Sequence, residues 1–161
     1  MFSIFLIVVA IKLLPEHLQT IINHAESTYP EECCGIMLGK MDSTDKTVVE
    51  VWQTENAWSA ETADDYVDAE VVTSKRRRFA IAPLDMLKAQ KAARQSQLNI
   101  VGFFHSHPDY PAIPSEFDRT YAWQEYSYII VSVVQGKAGD IRSWCLDDTH
   151  QFQAEEIITF H

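Results

Sequence analysis

Leu98-Asn99-Ile100-Val101-Gly102-Phe103-Phe104-His105-Ser106-His107-Pro108-Asp109-Tyr110-Pro111-Ala112-Ile113-Pro114-Ser115-Glu116-Phe117-Asp118 is the most informative stretch of the chain. Leu98 to Phe104 reads as a strand that runs straight into His105. In an extended segment residues i and i+2 point to the same face, so His105 and His107 converge on one point. Prolines at 108, 111 and 114 make the connecting loop stiff and non-helical. The chain then curls so that the next helix, starting near Ser115, faces the end of the histidine strand. Asp118 becomes the natural third member of the cluster. Two imidazoles and one carboxylate fill three of the four positions that zinc prefers and leave one open, the layout of a catalytic rather than a structural site. Ser115 and Asp118 also have the spacing of a helix cap. The two roles coexist: Ser115 caps while Asp118 binds metal.

Upstream, Pro15 to Ser27 reads as a helix with proline in its first turn and Leu18, Ile21, Ile22 and Ala25 on one face. Tyr29-Pro30 ends it. Cys34 to Gly39 predicts a short buried strand, Thr47 to Trp52 its hairpin partner, and Lys40 to Lys46 the turn. Glu55 to Ser74 is acidic and weakly patterned, which suggests a long loop. Phe79 to Ala82 predicts a strand and Pro83 to Gln97 a helix. Downstream, Tyr128 to Val134 is a strand, Gln135 to Asp140 a turn and Ile141 to Leu146 the returning strand. Phe152 to Phe160 fits strand or helix. The expected fold class is α/β (α+β): a single mixed β-sheet flanked by helices.

The 161 residues fit one domain, 47% hydrophobic and 22% charged, enough to bury a core without disulfides. Thirteen basic against 23 acidic residues give a net charge of −10. That balance argues against nucleic acid and against an anionic membrane surface as partners. Lys75-Arg76-Arg77-Arg78 is the only basic run, read either as a solvated edge or as a docking patch for an acidic partner or a C-terminal carboxylate. Three cysteines without a CxxC pair point to a reducing compartment. The apolar run Phe2 to Ile11 is too short to span a bilayer and lacks the basic flank of a signal peptide. It reads as a strand or N-terminal extension, with a dimer-forming segment or a targeting signal as the alternatives. The expected location is the cytoplasm, with a homodimer possible.

Hydrolysis at such a site needs an acid–base group, and Glu31 and Glu32, just ahead of Cys33-Cys34-Gly35, are the candidates. Their spacing does not decide between them. Pro30-Glu31-Glu32-Cys33-Cys34-Gly35-Ile36-Met37-Leu38-Gly39 resembles the segment Pro-x-Glu-x-Cys-Gly-x-x-x-Gly of the JAMM (MPN-plus, Mov34/MPN/PAD-1) metallopeptidases. His105 to Asp118 matches that family's His-x-His-Pro-x6-Ser-x-x-Asp without a gap. The resemblance covers roughly Ile11 to Phe160 and is closest to the short bacterial members. It implies a cytidine-deaminase-like fold, with one zinc on His105, His107 and Asp118 and a water in the fourth position. It selects Glu32 as the general acid–base, gives Ser115 a share in holding the water or the oxyanion, and makes Cys34 a buried structural thiol. It further implies a substrate: a small ubiquitin-like sulfur-carrier protein with a Gly-Gly tail, freed from a cysteine or a lysine isopeptide. Trp58 to Lys75 is longer than in compact relatives. The 43 residues after Asp118 leave no room for a long second insertion, so selectivity for one polyubiquitin linkage is not expected.

Two other classes compete. A non-catalytic zinc-binding MPN-type interaction module would share the fold, but such scaffolds lack the ligand set present here. A zinc nucleoside deaminase needs His-x-Glu and a later Pro-Cys-x-x-Cys, and neither occurs in the sequence. A His-Glu-x-x-His helix is also missing.

Overall fold

A computed structural model describes residues 10–59 and 74–161. The first strand, β1 (Ala10–Leu13), takes up the end of the N-terminal apolar run, whose first eight residues lie outside the described ones. Helix α1 (Pro15–Thr28) follows as expected, burying Ile21 and Ala25 on its apolar face. A hairpin comes next, β2 (Cys34–Met41) and β3 (Asp45–Thr54), with longer arms and a tighter turn than the sequence suggests. Asp42 explains the tightness, because its Oδ1 accepts from the backbone N–H of Thr44 and Asp45. Most of the expected loop at 55–74 lies outside the described residues.

The strand expected at Phe79 to Ala82 does not form. Its backbone groups are taken elsewhere: Ala80 N–H donates to Asn56 Oδ1, and Ala80 C=O accepts from Ala57 N–H. The segment is therefore extended without joining a ladder. It leads into α2 (Pro83–Gln95) and then β4 (Asn99–Pro108), which carries on through both histidines. A short helix α3 (Glu116–Thr120) starts after Ser115. Strands β5 (Ser127–Val134) and β6 (Lys137–Leu146) form the second hairpin. Its turn is only Gln135-Gly136, with φ of 51° and 85°, the left-handed pair that a two-residue hairpin needs. The ambiguous tail is a strand, β7 (Phe152–Thr159).

The sheet is mixed, as expected, and runs β1-β3-β2-β4-β5-β6-β7. Its order closes on itself, because β1 pairs in parallel with both β3 and β7. The remaining ladders are antiparallel except β4 with β5. Successive residues of β4 serve different cores. Phe104 joins Ile11, Ile21, Met37 and Ile129, while Phe103 joins Ile36, Ala89, Ala93 and Tyr128 beside α2. No helix among the described residues is long and apolar enough to cross a membrane.

Candidate active site

The site lies at the carboxyl end of β4, next to its parallel partner β5, where a connection that leaves the sheet opens a crevice. His105 and His107 are two residues apart on β4 and converge: their Nε2 atoms are 3.2 Å apart. Asp118 Oδ2 lies 3.2 Å from each of them. Two donors held 2.0–2.1 Å from a tetrahedral ion stand roughly 3.3–3.4 Å apart. The triangle therefore fits a zinc-sized ion without rearrangement. The His107 ring is fixed by its Nδ1–H, which donates to Pro111 C=O at 2.7 Å and turns Nε2 toward the triangle. The stiff proline loop is what brings that carbonyl within reach, and Trp144 pins the loop from β6 by donating to Ala112 C=O.

Ser115 and Asp118 do form the cap, with Ser115 Oγ accepting from Asp118 N–H and Asp118 Oδ2 accepting from Ser115 N–H. The same Oδ2 faces the histidines, so one carboxylate both caps and completes the triangle. Burial raises the Asp118 pKa, but the neighbouring imidazoles outweigh it and hold the carboxyl below its usual range. Burial lowers the His107 pKa, against the opposing pull of Asp118.

Glu32 precedes β2 and is only 1% exposed. One of its carboxylate oxygens lies within 4.8 Å of the histidine ligand nitrogens, and Oε2 has no hydrogen-bond partner among the described residues. Burial, reinforced by the Asp118 charge, raises its pKa well above the usual carboxylate value, against the pull of Arg78 and Arg77. Glu31 is exposed on the neighbouring turn. Cys33 and Cys34 are buried, and burial pushes both thiols up to about 12, which disfavours the thiolate form.

Three contributors are not evident from motif spacing. Ser106, between the histidines, turns to the other face of β4, and its Oγ accepts from Cys33 N–H at 2.8 Å while its own N–H donates to Cys33 C=O. The residue after Glu32 is thereby stitched to the histidine strand. Asn56 is a hub: its Nδ2 donates to the carbonyls of Glu32 and Arg78, and its Oδ1 accepts from Trp58 and Ala80 N–H. The third contribution is aromatic. Phe79 stacks on His105 at 4.4 Å and Tyr110 on His107 at 4.0 Å. A cavity of about 190 Å³ opens beside His105 and Asp118, walled by Phe79, Ile81, Phe117 and Trp123 among others.

Residues 14–147 match the family model for prokaryotic homologs of the JAB domain. The chain belongs to this family. Among curated proteins it is similar to the desampylase of Pyrococcus furiosus, 24% identical over 148 residues that cover 91% of this chain and 89% of that one. The desampylase of Haloferax volcanii is 30% identical over 104 residues, 64% of this chain and 63% of the relative. Two proteins solved in solution share the fold. One from Desulfitobacterium hafniense has a TM-score of 0.74 and 28% identity, covering 94% of this chain and 93% of its own. One from Salinibacter ruber has a TM-score of 0.66 and 31% identity, covering 92% and 91%. Membership of the short prokaryotic JAB/MPN branch, expected from the two motifs, is thus established.

Proposed function

We propose that this JAB-domain protein is a zinc-dependent isopeptidase or peptidase that hydrolyses the amide bond after the Gly-Gly tail of a small ubiquitin-like carrier protein. The observation that carries the reading is the triangle of His105 Nε2, His107 Nε2 and Asp118 Oδ2, 3.2 Å on each side, with the unpartnered Glu32 oxygen nearby. Similarity to two desampylases supports the substrate class.

His105, His107 and Asp118 would hold the metal, which when bound would supply Lewis acidity and make a water acidic near neutral pH. Glu32 accepts the proton of the attacking water. Its raised pKa suits the second half of the task, returning that proton to the leaving amine as the C–N bond breaks. The Ser115 hydroxyl accepts from Asp118 N–H and keeps its own proton free to donate to the oxyanion. An extended Gly-Gly tail suits a narrow approach, because glycine lets a backbone come close.

The test is a mass-spectrometric cleavage assay with zinc-loaded wild type and Glu32→Ala, alongside metal analysis. Carriers ending in Gly-Gly are supplied with a C-terminal cysteine or joined to a lysine side chain. Wild type should release the carrier. Glu32→Ala should keep one zinc and lose at least roughly a hundredfold in rate, and Asp118→Ala should lose the metal. A Glu32→Ala protein with near-normal turnover rejects the mechanism. Bound zinc without release of either adduct favours the non-catalytic module.

A further inference from the structure

The basic run Lys75-Arg76-Arg77-Arg78 stands out in a chain of net charge −10. The fold brings it to the site rather than to an outlying edge. Its first carbonyl, Lys75 C=O, accepts from Glu32 N–H at 2.7 Å. The Arg77 guanidinium carbon lies 4.7 Å from the centre of the Tyr110 ring, and that of Arg78 lies 4.3 Å from the centre of Phe117. Tyr110 is the ring stacked on His107, and Phe117 directly precedes Asp118.

Neither guanidinium has a carboxylate within 4.0 Å among the described residues. Arg78 gives one N–H to Arg77 C=O. Stacking on an aromatic face holds a guanidinium in place while leaving its in-plane donors free. Two oriented forks with spare donors therefore border the metal triangle. The carboxylate of Glu32 already feels both cations, and the donors left in their planes give an anionic group on a ligand a place to bind.

A carrier tail consumed as an amide brings no charge of its own to the scissile bond. The leaving residue does, if it is a terminal amino acid: its α-carboxylate is attached to the carbon next to the scissile nitrogen. A lysine isopeptide instead puts a neutral methylene chain there.

We propose that Arg77 and Arg78 bind the free α-carboxylate of the leaving residue, so that a Gly-Gly tail extended by one amino acid is held more tightly with that carboxylate than without it. This rests on the hydrolase reading above. Water adds across the amide, the carrier keeps the new carboxylate, and the amino acid leaves with its amine protonated and its original carboxylate intact.

The probes are a Gly-Gly carrier extended by one alanine, as the free acid and as the carboxamide. Binding is measured by calorimetry on zinc-loaded Glu32→Gln protein, and turnover on wild type. The free acid should bind about tenfold more tightly, as one exposed charge-assisted contact implies. Arg77→Gln and Arg78→Gln, added to Glu32→Gln, should bring the acid down to the carboxamide's affinity. Arg77→Lys should recover only part, since it lacks the planar fork. Equal affinity for acid and carboxamide, or a preference that survives both arginine substitutions, overturns the inference. Arginine substitutions that weaken both probes equally, more so at low salt, place the carrier's own surface on these cations and also overturn it. Preferential binding without turnover of either probe rejects the hydrolase reading and leaves the carboxylate site standing.

Discussion

Substituting Gly35 tests how rigidly the fold seats the histidines. Gly35 faces Phe104 across the β2–β4 ladder, one residue from the Cys34–His105 pair. A Cβ added there would lie 2.1 Å from Phe104 Cζ, 2.2 Å from Cε1 and 2.3 Å from Trp52 C=O. Non-bonded carbons sit comfortably at roughly 3.5–4.0 Å, so more than about 1 Å must open on two sides. Neither neighbour yields easily: Phe104 is 0% exposed in a filled core, and Trp52 C=O belongs to the backbone of β3. Overpacking a core costs about 1–3 kcal/mol, and two rigid neighbours put Gly35→Ala near the upper end. In a chain of this size that is a fall of roughly 6–12 °C in Tm. Because Phe104 precedes His105, its displacement should also weaken zinc binding. Thermal circular dichroism with chelator, followed by a calorimetric zinc titration, measures both. Adding Phe104→Leu to Gly35→Ala should make room and recover part of the loss. A Tm within about 2 °C of wild type, with unchanged zinc affinity, refutes the claim that this contact positions the histidine.

Asn56→Asp should be more damaging than its similar size suggests, because it turns an acceptor toward the carbonyls of Glu32 and Arg78. A loss of about 2 kcal/mol or more in a urea titration is expected, and wild-type stability would show that the amide hub is dispensable. Asp147 gives a pH-dependent test. Its carboxylate accepts from the Thr149 hydroxyl, the backbone N–H of Gln151 and Thr149, and the Gln153 side chain, which hold its pKa at about 2. The folded value lies below the unfolded one of about 3.9, so the stabilisation is complete above the latter and fades as pH falls through the former. Asp147→Asn should lower Tm at neutral pH, and the gap to wild type should narrow between about pH 4 and pH 2. A gap that stays constant over that range contradicts the linkage.

The parts of this fold that were legible in the sequence are those set by local rules. Helix α1 shows in the spacing of Leu18, Ile21, Ile22 and Ala25, and β4 in its apolar run and His-x-His. The cap at Ser115 was readable, and the structure puts Asp118 Oδ2 both in that cap and 3.2 Å from each histidine Nε2. The segment Phe79 to Ala82 has the composition of a strand, but Asn56, distant in sequence, claims the backbone group of Ala80 that would have paired. No local pattern encodes that competition. The placement of Arg77 and Arg78 on Tyr110 and Phe117 was hidden for the same reason, since three separate segments must meet before the contacts exist. Closure of the sheet was equally invisible, because a four-residue strand gives no hint that both its edges are occupied.

That closure has a consequence for breathing motions. In the order of the sheet β4 is the fourth of seven strands, as far from β1 as the ring allows. The seam is where the two ends of the described chain meet, with Ala10 facing Asp45 on one side and Glu156 on the other. Its loop-closure entropy makes the β1–β7 ladder a late event in folding, and its four residue pairs make it an inexpensive one to reopen. Opening it leaves the ladders on both sides of β4 untouched. Amide hydrogen exchange should then be fast at the seam and slow along Gly102 to His107, so that either end of the described chain can unzip and reclose like a latch while the His105–His107–Asp118 triangle keeps its shape.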